Sequence, residues 1–259
     1  MAQPALAFAR IRCLALSVLG ALDPDCHRPA GEWVRLPTEW IERKRLQEFT
    51  WKKGEGGSQI AALIALIAIA HRTDDEGLAR MTYDQFLRIA GMSRATVAAG
   101  LDVLENRGLL IREPQGQSTF QLVDFKLSEG WAKLPAKGLY QRGELLFAHR
   151  FGKRSQGELY ALKLYLLFVS RRDRKLNLAL LSYTAITEYT GLQRHQIRQG
   201  LDVLALNGMI HVERVESWES NVGNANAYRL AHLDGYRHRG TTNIDQILAA
   251  GGVIGMDAE

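Results

Sequence analysis

Ser93 to Ile111 reads SRATVAAGLDVLENRGLLI, and this stretch decides the fold. Val97, Leu101 and Leu104 recur at i, i+4 and i+7, the spacing of one buried helix face. Gly108 stands where a helix needs a left-handed residue to end, a conformation glycine adopts without a Cβ penalty. The apolar run Leu109-Leu110-Ile111 then predicts a short strand. The pattern returns at Gln193 to His211, QRHQIRQGLDVLALNGMIH. Ile197, Leu201 and Leu204 take the buried face, Gly208 the stop, and Met209-Ile210 the apolar run.

A second helix precedes each copy. Thr82-Tyr83-Asp84-Gln85 places Gln three residues after a hydroxyl, a capping box that opens a helix. Phe86, Ile89 and Ala90 supply its apolar stripe, and Gly91 closes it. Its counterpart starts at Ser182 and carries Ile186, Tyr189 and Gly191. Aligned without a gap, the copies share Tyr83/Tyr183, Gly91/Gly191, Arg94/Arg194, the run GLDVL and Gly108/Gly208, which marks an internal repeat of about 100 residues. It extends upstream, where Trp33-Val-Arg-Leu-Pro37 is answered by Trp131-Ala-Lys-Leu-Pro135. Long helices are expected over Ser58 to Arg72, apolar nearly all round, and over Gln156 to Arg172. Strands at Leu109 to Arg112 and Thr119 to Asp124 flank turn chemistry at Pro114-Gln115-Gly116-Gln117, a first wing. A longer second wing is expected from about Val215 to Asn226.

Helix, helix-turn-helix and wing in that order describe a winged helix. The expected fold is mostly α with small β-wings: two tandem winged-helix domains at 30–127 and 128–235, an N-terminal helix and loop at 1–29, and a tail at 236–259. The hinge Lys126 to Gly130 is short, so the domains are expected to pack in a fixed relation.

The chain of 259 residues has the length for two ordinary domains, and its 46% hydrophobic content supplies their cores. A net charge of +5 favours a polyanionic partner. Cys13 and Cys26 lack metal-ligand spacing and read as reduced thiols of a cytoplasmic protein, with a disulfide between them as the alternative; DNA binding would make the protein nucleoid-associated. Ala5 to Leu22 imitates a signal peptide, but Arg10 and Arg12 interrupt it and no small-residue cleavage site precedes Asp23-Pro24, so a packed helix is expected. Ile60 to Ala70 is too short for a membrane span, and no membrane role is expected. The seven histidines do not cluster at metal spacing, and no phosphate-loop or nucleophile-elbow string occurs. Neither an enzyme nor a cofactor is expected.

The second helix of a helix-turn-helix lays its N-terminal part in the major groove of double-stranded DNA. With the core face fixed, the groove-facing candidates are Ser93, Arg94, Thr96 and Ala98 in the first copy and Gln193, Arg194, His195, Gln196 and Arg198 in the second. Arg reads guanine O6 and N7, and Gln reads adenine, each through paired hydrogen bonds. No acidic residue interrupts Gln193 to Arg198, so the second helix is the stronger base reader. The first suits phosphate contact, shallow readout or a protein interface. Arg43-Lys44-Arg45, Lys52-Lys53, Lys153-Arg154 and Arg171 to Lys175 are candidate phosphate contacts. The last also fits cations at a helix C-terminus, whereas Lys153-Arg154 precedes a helix and carries more weight.

Thr82 to Ile111 resembles the winged-helix readers of GntR-type bacterial regulators, which use a similar S/T-R-x-T-V…L…L…G-L-[IL] pattern. The layout of two related winged helices in one basic chain resembles iteron-type plasmid replication initiators. That resemblance implies a C-terminal winged helix that reads a DNA repeat and an N-terminal one that dimerises or adds contacts. Three functions are expected to compete: a replication initiator of a plasmid or mobile element, a transcriptional regulator on an operator, and a winged-helix protein-interaction module of a DNA-associated complex. The partners implied are double-stranded DNA and a second copy of the chain or a replication or transcription protein.

Overall fold

The computed structural model describes residues 31–126, 128–173, 176–216 and 224–233. The expected N-terminal helix with Cys13 and Cys26, the tail at 236–259, Arg174, Lys175 and the tip of the second wing lie outside the described residues.

Helices joined to small antiparallel sheets make up the chain. The first half runs β1 (Trp33–Pro37), α1 (Glu39–Glu42), a 3-10 turn (Arg45–Glu48), α2 (Gly56–Ala70), β2 (Leu78–Arg80), α3 (Tyr83–Ala90), α4 (Arg94–Asn106), β3 (Leu110–Arg112) and β4 (Thr119–Leu122). The second half runs β5 (Trp131–Pro135), a hairpin of β6 (Tyr140–Gln141) and β7 (Glu144–Leu145), then α5 (Leu146–Arg150) and α6 (Gln156–Arg171). It ends with β8 (Leu178–Leu180), α7 (Tyr183–Thr190), α8 (Arg194–Leu206), β9 (Ile210–Glu216) and β10 (Asn224–Leu230). Each half closes on a three-stranded sheet, β2-β4-β3 and β8-β10-β9. The outer strands β2 and β8 are additions to the pattern expected from sequence. At three residues each they are too short to show an alternation.

The core is built on α2 and α6. Every residue from Gln59 to Ala70 is buried, and so is every residue from Leu159 to Val169. The two helices pack on each other, α2 also on α4, and α6 also on α8. Helices with neighbours on several sides have no polar face to keep, which is why α2 is apolar all round. Buried side chains from both halves, Leu36 through Leu233, form one continuous cluster.

The two W-x-[RK]-L-P segments pair with each other. β1 and β5 form an antiparallel ribbon in the register Trp33↔Pro135, Arg35↔Lys133 and Pro37↔Trp131. Thr38 N–H donates to Gly130 O at 2.9 Å, and Ala136 N–H donates to Glu32 O at 2.8 Å, continuing the pairing at both ends. The Trp33 and Trp131 rings stack with centroids 5.8 Å apart and 6° between planes. Lys133 Nζ lies 4.6 Å from the centre of the Trp33 ring, and Arg35 Cζ lies 5.1 Å from that of Trp131. The result is one cluster of two stacked rings, each with a cation of the ribbon beside it. Each such pair contributes on the order of 0.5–1.5 kcal/mol beyond its buried area.

Polar contacts clasp the halves reciprocally. From the first half, Gln47 Nε2 donates to Glu188 O at 2.6 Å and Lys44 pairs with the Glu188 carboxylate. From the second half, His149 Nε2 donates to Arg88 O at 3.0 Å. The Gln47 and His149 bonds each reach a carbonyl near the C-terminal end of a helix in the other half, α7 or α3, where helical carbonyls lack an internal partner. Deeper, Lys163 Nζ on α6 donates to Phe49 O at 2.8 Å while the Arg107 guanidinium of the first half lies 4.0 Å over the Phe49 ring. Burial, with Arg107 nearby, lowers the Lys163 ammonium to about 8.

Candidate nucleic-acid interface

Each half presents a two-helix unit whose geometry follows from its caps. Thr82 Oγ1 accepts from Gln85 N–H at 3.2 Å, and Gln85 Oε1 accepts from Thr82 N–H at 2.8 Å, closing the box that starts α3. Gly91 at φ +58° ends α3, and Met92 is fully buried in the turn. Ser182 caps α7, Gly191 at φ +70° ends it, and Leu192 is buried in the same place. Val97, Leu101 and Leu104, and Ile197, Leu201 and Leu204, are all buried, so the remaining faces of α4 and α8 point outward.

The two outward faces differ in charge. On the first, Arg94 Nη2 donates to Asp84 Oδ1 at 2.9 Å. Arg112 on β3 is held between Asp102 at 2.6 Å and Glu105 at 2.7 Å. Ala95, Ala98 and Ala99 fill the rest of the first turns. An open cavity of about 530 Å³ lies beside this face, but Glu105 and Glu113 line it and disfavour a phosphate.

On the second face Thr184 takes the place of Asp84, Ala205 that of Glu105 and Val212 that of Arg112. Arg194, His195 and Arg198 are exposed, and among the described residues no carboxylate pairs with any of them. Arg194 Cζ sits 5.4 Å from the centre of the Tyr183 ring, an aromatic rest that orients the guanidinium without cancelling its charge.

Other sequence candidates have structural duties. Ser93 and Thr96 cap α4 between themselves: Ser93 Oγ accepts from Thr96 N–H at 3.2 Å and lies 2.9 Å from Thr96 Oγ1. Gln193 is exposed at the start of α8, and its backbone N–H donates to Gln196 Oε1 at 2.8 Å. Gln196 is therefore withdrawn from the groove-facing set. Its amide nitrogen donates to Tyr160 OH at 2.9 Å, so both ends are engaged within the protein. The spacing Gln193-x-x-Gln196 is that of a capping box, a signal legible in the sequence. Lys153 is withdrawn as well. It takes φ +58° and turns its amine inward, donating to Ala148 O at 2.7 Å with Gly91 O at 3.5 Å. Burial lowers its pKa from the usual lysine value. Arg154 beside it is exposed at the entry to α6. Tyr160 and Tyr183 were not among the sequence candidates. Tyr183 stood out only as the shared partner of Tyr83.

Among the described residues, no group of His, Cys, Asp and Glu side chains is placed to hold a metal ion, and no helix is long and apolar enough to cross a membrane. Compared with protein-family models, curated proteins and solved structures, the chain gives no match.

Proposed function

We propose that this protein binds double-stranded DNA sequence-specifically through two tandem winged helices, with α8 as the principal base reader. The observation that carries this reading is the unpaired cationic set Arg194, His195 and Arg198 at the start of an outward-facing second helix, set against a neutralised α4. Early residues of such a helix meet base edges, and Arg is the residue best shaped to read guanine. Arg154 and the exposed Lys52 and Lys53 add cations for phosphate contacts, which supply affinity without sequence information. The layout favours a replication initiator of a plasmid or mobile element. A transcriptional regulator on an operator would use the same contacts. The neutralised first face supports a second reading, in which α4 serves a protein partner within a DNA-associated complex.

Selection of genomic fragments by the purified protein at near-physiological salt tests the proposal. A short recurring motif is expected. Arg194→Ala and Arg198→Ala should each weaken binding to it by about 1–3 kcal/mol, or roughly 5- to 150-fold. Salt-sensitive non-specific binding should change far less. An array of motifs at an origin marks the initiator, and a single promoter site marks the regulator. Failure of any motif to enrich, or unchanged affinity in the double variant, sinks base reading by α8.

A further inference from the structure

A line of hydrogen bonds runs from the buried helix α6 into the first turn of α8. Tyr160 OH donates to Gln156 Oε1 at 3.0 Å and accepts from Gln196 Nε2 at 2.9 Å. Gln196 Oε1 in turn accepts from the backbone N–H of Gln193 at 2.8 Å. Donor and acceptor alternate consistently along the line, which fixes the orientation of both amides. Tyr160 is 5% exposed, so its ring is held by the core, and its hydroxyl hydrogen bonds are partly buried. The helices are tightly apposed here, since a Cβ on Gly157 would stand 3.1 Å from Gln199 Nε2 and 3.3 Å from a Val203 methyl.

Among the described residues, the first half has no counterpart to this line. Ile60 and Gly56 occupy the positions of Tyr160 and Gln156, and Ser93 and Thr96 cap α4 only between themselves. The tether therefore occurs on the helix whose cations are free and is missing from the helix whose cations are neutralised.

We propose that Tyr160 is a positioning residue for DNA reading: through Gln196 it locks the first turn of α8 to α6, so that Arg194 and Arg198 meet base edges in one fixed geometry. This rests on α8 being the reader. A reader whose first turn is held in advance loses less entropy on binding, and it gains selectivity because misplaced guanidinium groups cannot adapt to a wrong base.

The test is Tyr160→Phe in the full chain, with Tyr165→Phe as control. Tyr165 lies on the same helix, and its buried hydroxyl has no hydrogen-bond partner among the described residues. Tyr160→Phe should lower the ratio of motif to non-motif affinity by about five- to tenfold, the scale of one lost hydrogen bond, with an unchanged salt slope because no phosphate contact is removed. It should also speed amide exchange over residues 193–196 in the free protein. Tyr165→Phe should move none of these. If Tyr160→Phe keeps the full ratio while Arg194→Ala loses it, the positioning role is overturned and base reading stands. If the unaltered protein shows no sequence preference, both fall. Unchanged exchange over 193–196 also overturns the tether, whatever the DNA result.

Discussion

Valine in place of Gly100 should destabilise the protein by about 3 kcal/mol or more, the upper end of the cost of overpacking a close-packed interior. Gly100 sits where α4 crosses α2. A Cβ built there would stand 2.8 Å from the Ala61 carbonyl carbon, 2.9 Å from Ala62 N and 3.1 Å from the Ala61 methyl. Two of these are backbone atoms of a fully buried helix and cannot swing aside. Even Gly100→Ala should lose stability, although alanine ordinarily gains about 1 kcal/mol over glycine inside a helix. That reversal of sign identifies the crossing as the cause. Gly200→Ala should be somewhat milder, because its closest neighbour is the Leu164 Cδ1 methyl at 2.8 Å, a side-chain end, and the backbone atoms Tyr160 C and Ala161 N stand slightly farther off, at 3.0 and 3.1 Å. Urea midpoints of the four variants, alanine and valine at each position, give the order directly. A stabilised Gly100→Ala would mean that the helices do not approach this closely in solution.

Stability should also fall as pH drops from about 6.5, and His71 should be a main cause. His71 ends α2, is 4% exposed, and faces the second half with both ring nitrogens. Nε2 lies 2.8 Å from Pro135 O, which can only accept, so Nε2 carries the proton. Nδ1, 3.0 Å from Tyr140 OH, therefore accepts from that hydroxyl. Burial raises the pKa of Tyr140, which keeps the hydroxyl neutral and able to donate. Burial pushes the imidazole itself down to about 3. The unfolded chain takes up a proton near pH 6.5 and the folded protein only near 3, so between those values the unfolded state binds more protons. Stability is fully present above 6.5 and declines below it by up to about 1.4 kcal/mol per pH unit from this residue alone. Urea denaturation at pH 7.5 and pH 5 measures the drop. His71→Gln should be weaker at pH 7.5 and flatter between the two. Equal slopes in the two proteins would remove His71 as the source.

The parts of the fold legible in sequence were those set by neighbours along the chain. The Thr82 box, the Gly91 and Gly191 stops and the buried face of Val97, Leu101 and Leu104 follow local rules and appear where the spacing put them. The Trp33 and Trp131 segments showed only that something recurs. That the two recurrences pair with each other is a long-range choice, and alternation within one strand carries no address for its partner. The glycine of GLDVL likewise reads as part of a pattern, while its packing role depends on where Ala61 lies. In the candidate interface, not all of the residues expected to face outward are free. Lys153 and Gln196 look like surface cations and amides until the carbonyl of Ala148 and the hydroxyl of Tyr160 claim them.

The β1–β5 ribbon is symmetric about the Arg35–Lys133 pair: Trp33 faces Pro135 as Pro37 faces Trp131, and the two tryptophan rings stack on each other. Such a joint fits two identical molecules as well as two halves of one. Between separate molecules it would come apart on dilution, and every change in one arm would appear in the other. Carried on a single chain, the joint holds at any protein concentration, since its effective local concentration is set by the connecting segment. The arms are also free to diverge while the joint stays matched. Arg198 stands where the other arm has Ala98, Gln196 where it has Thr96, and Tyr160 where it has Ile60.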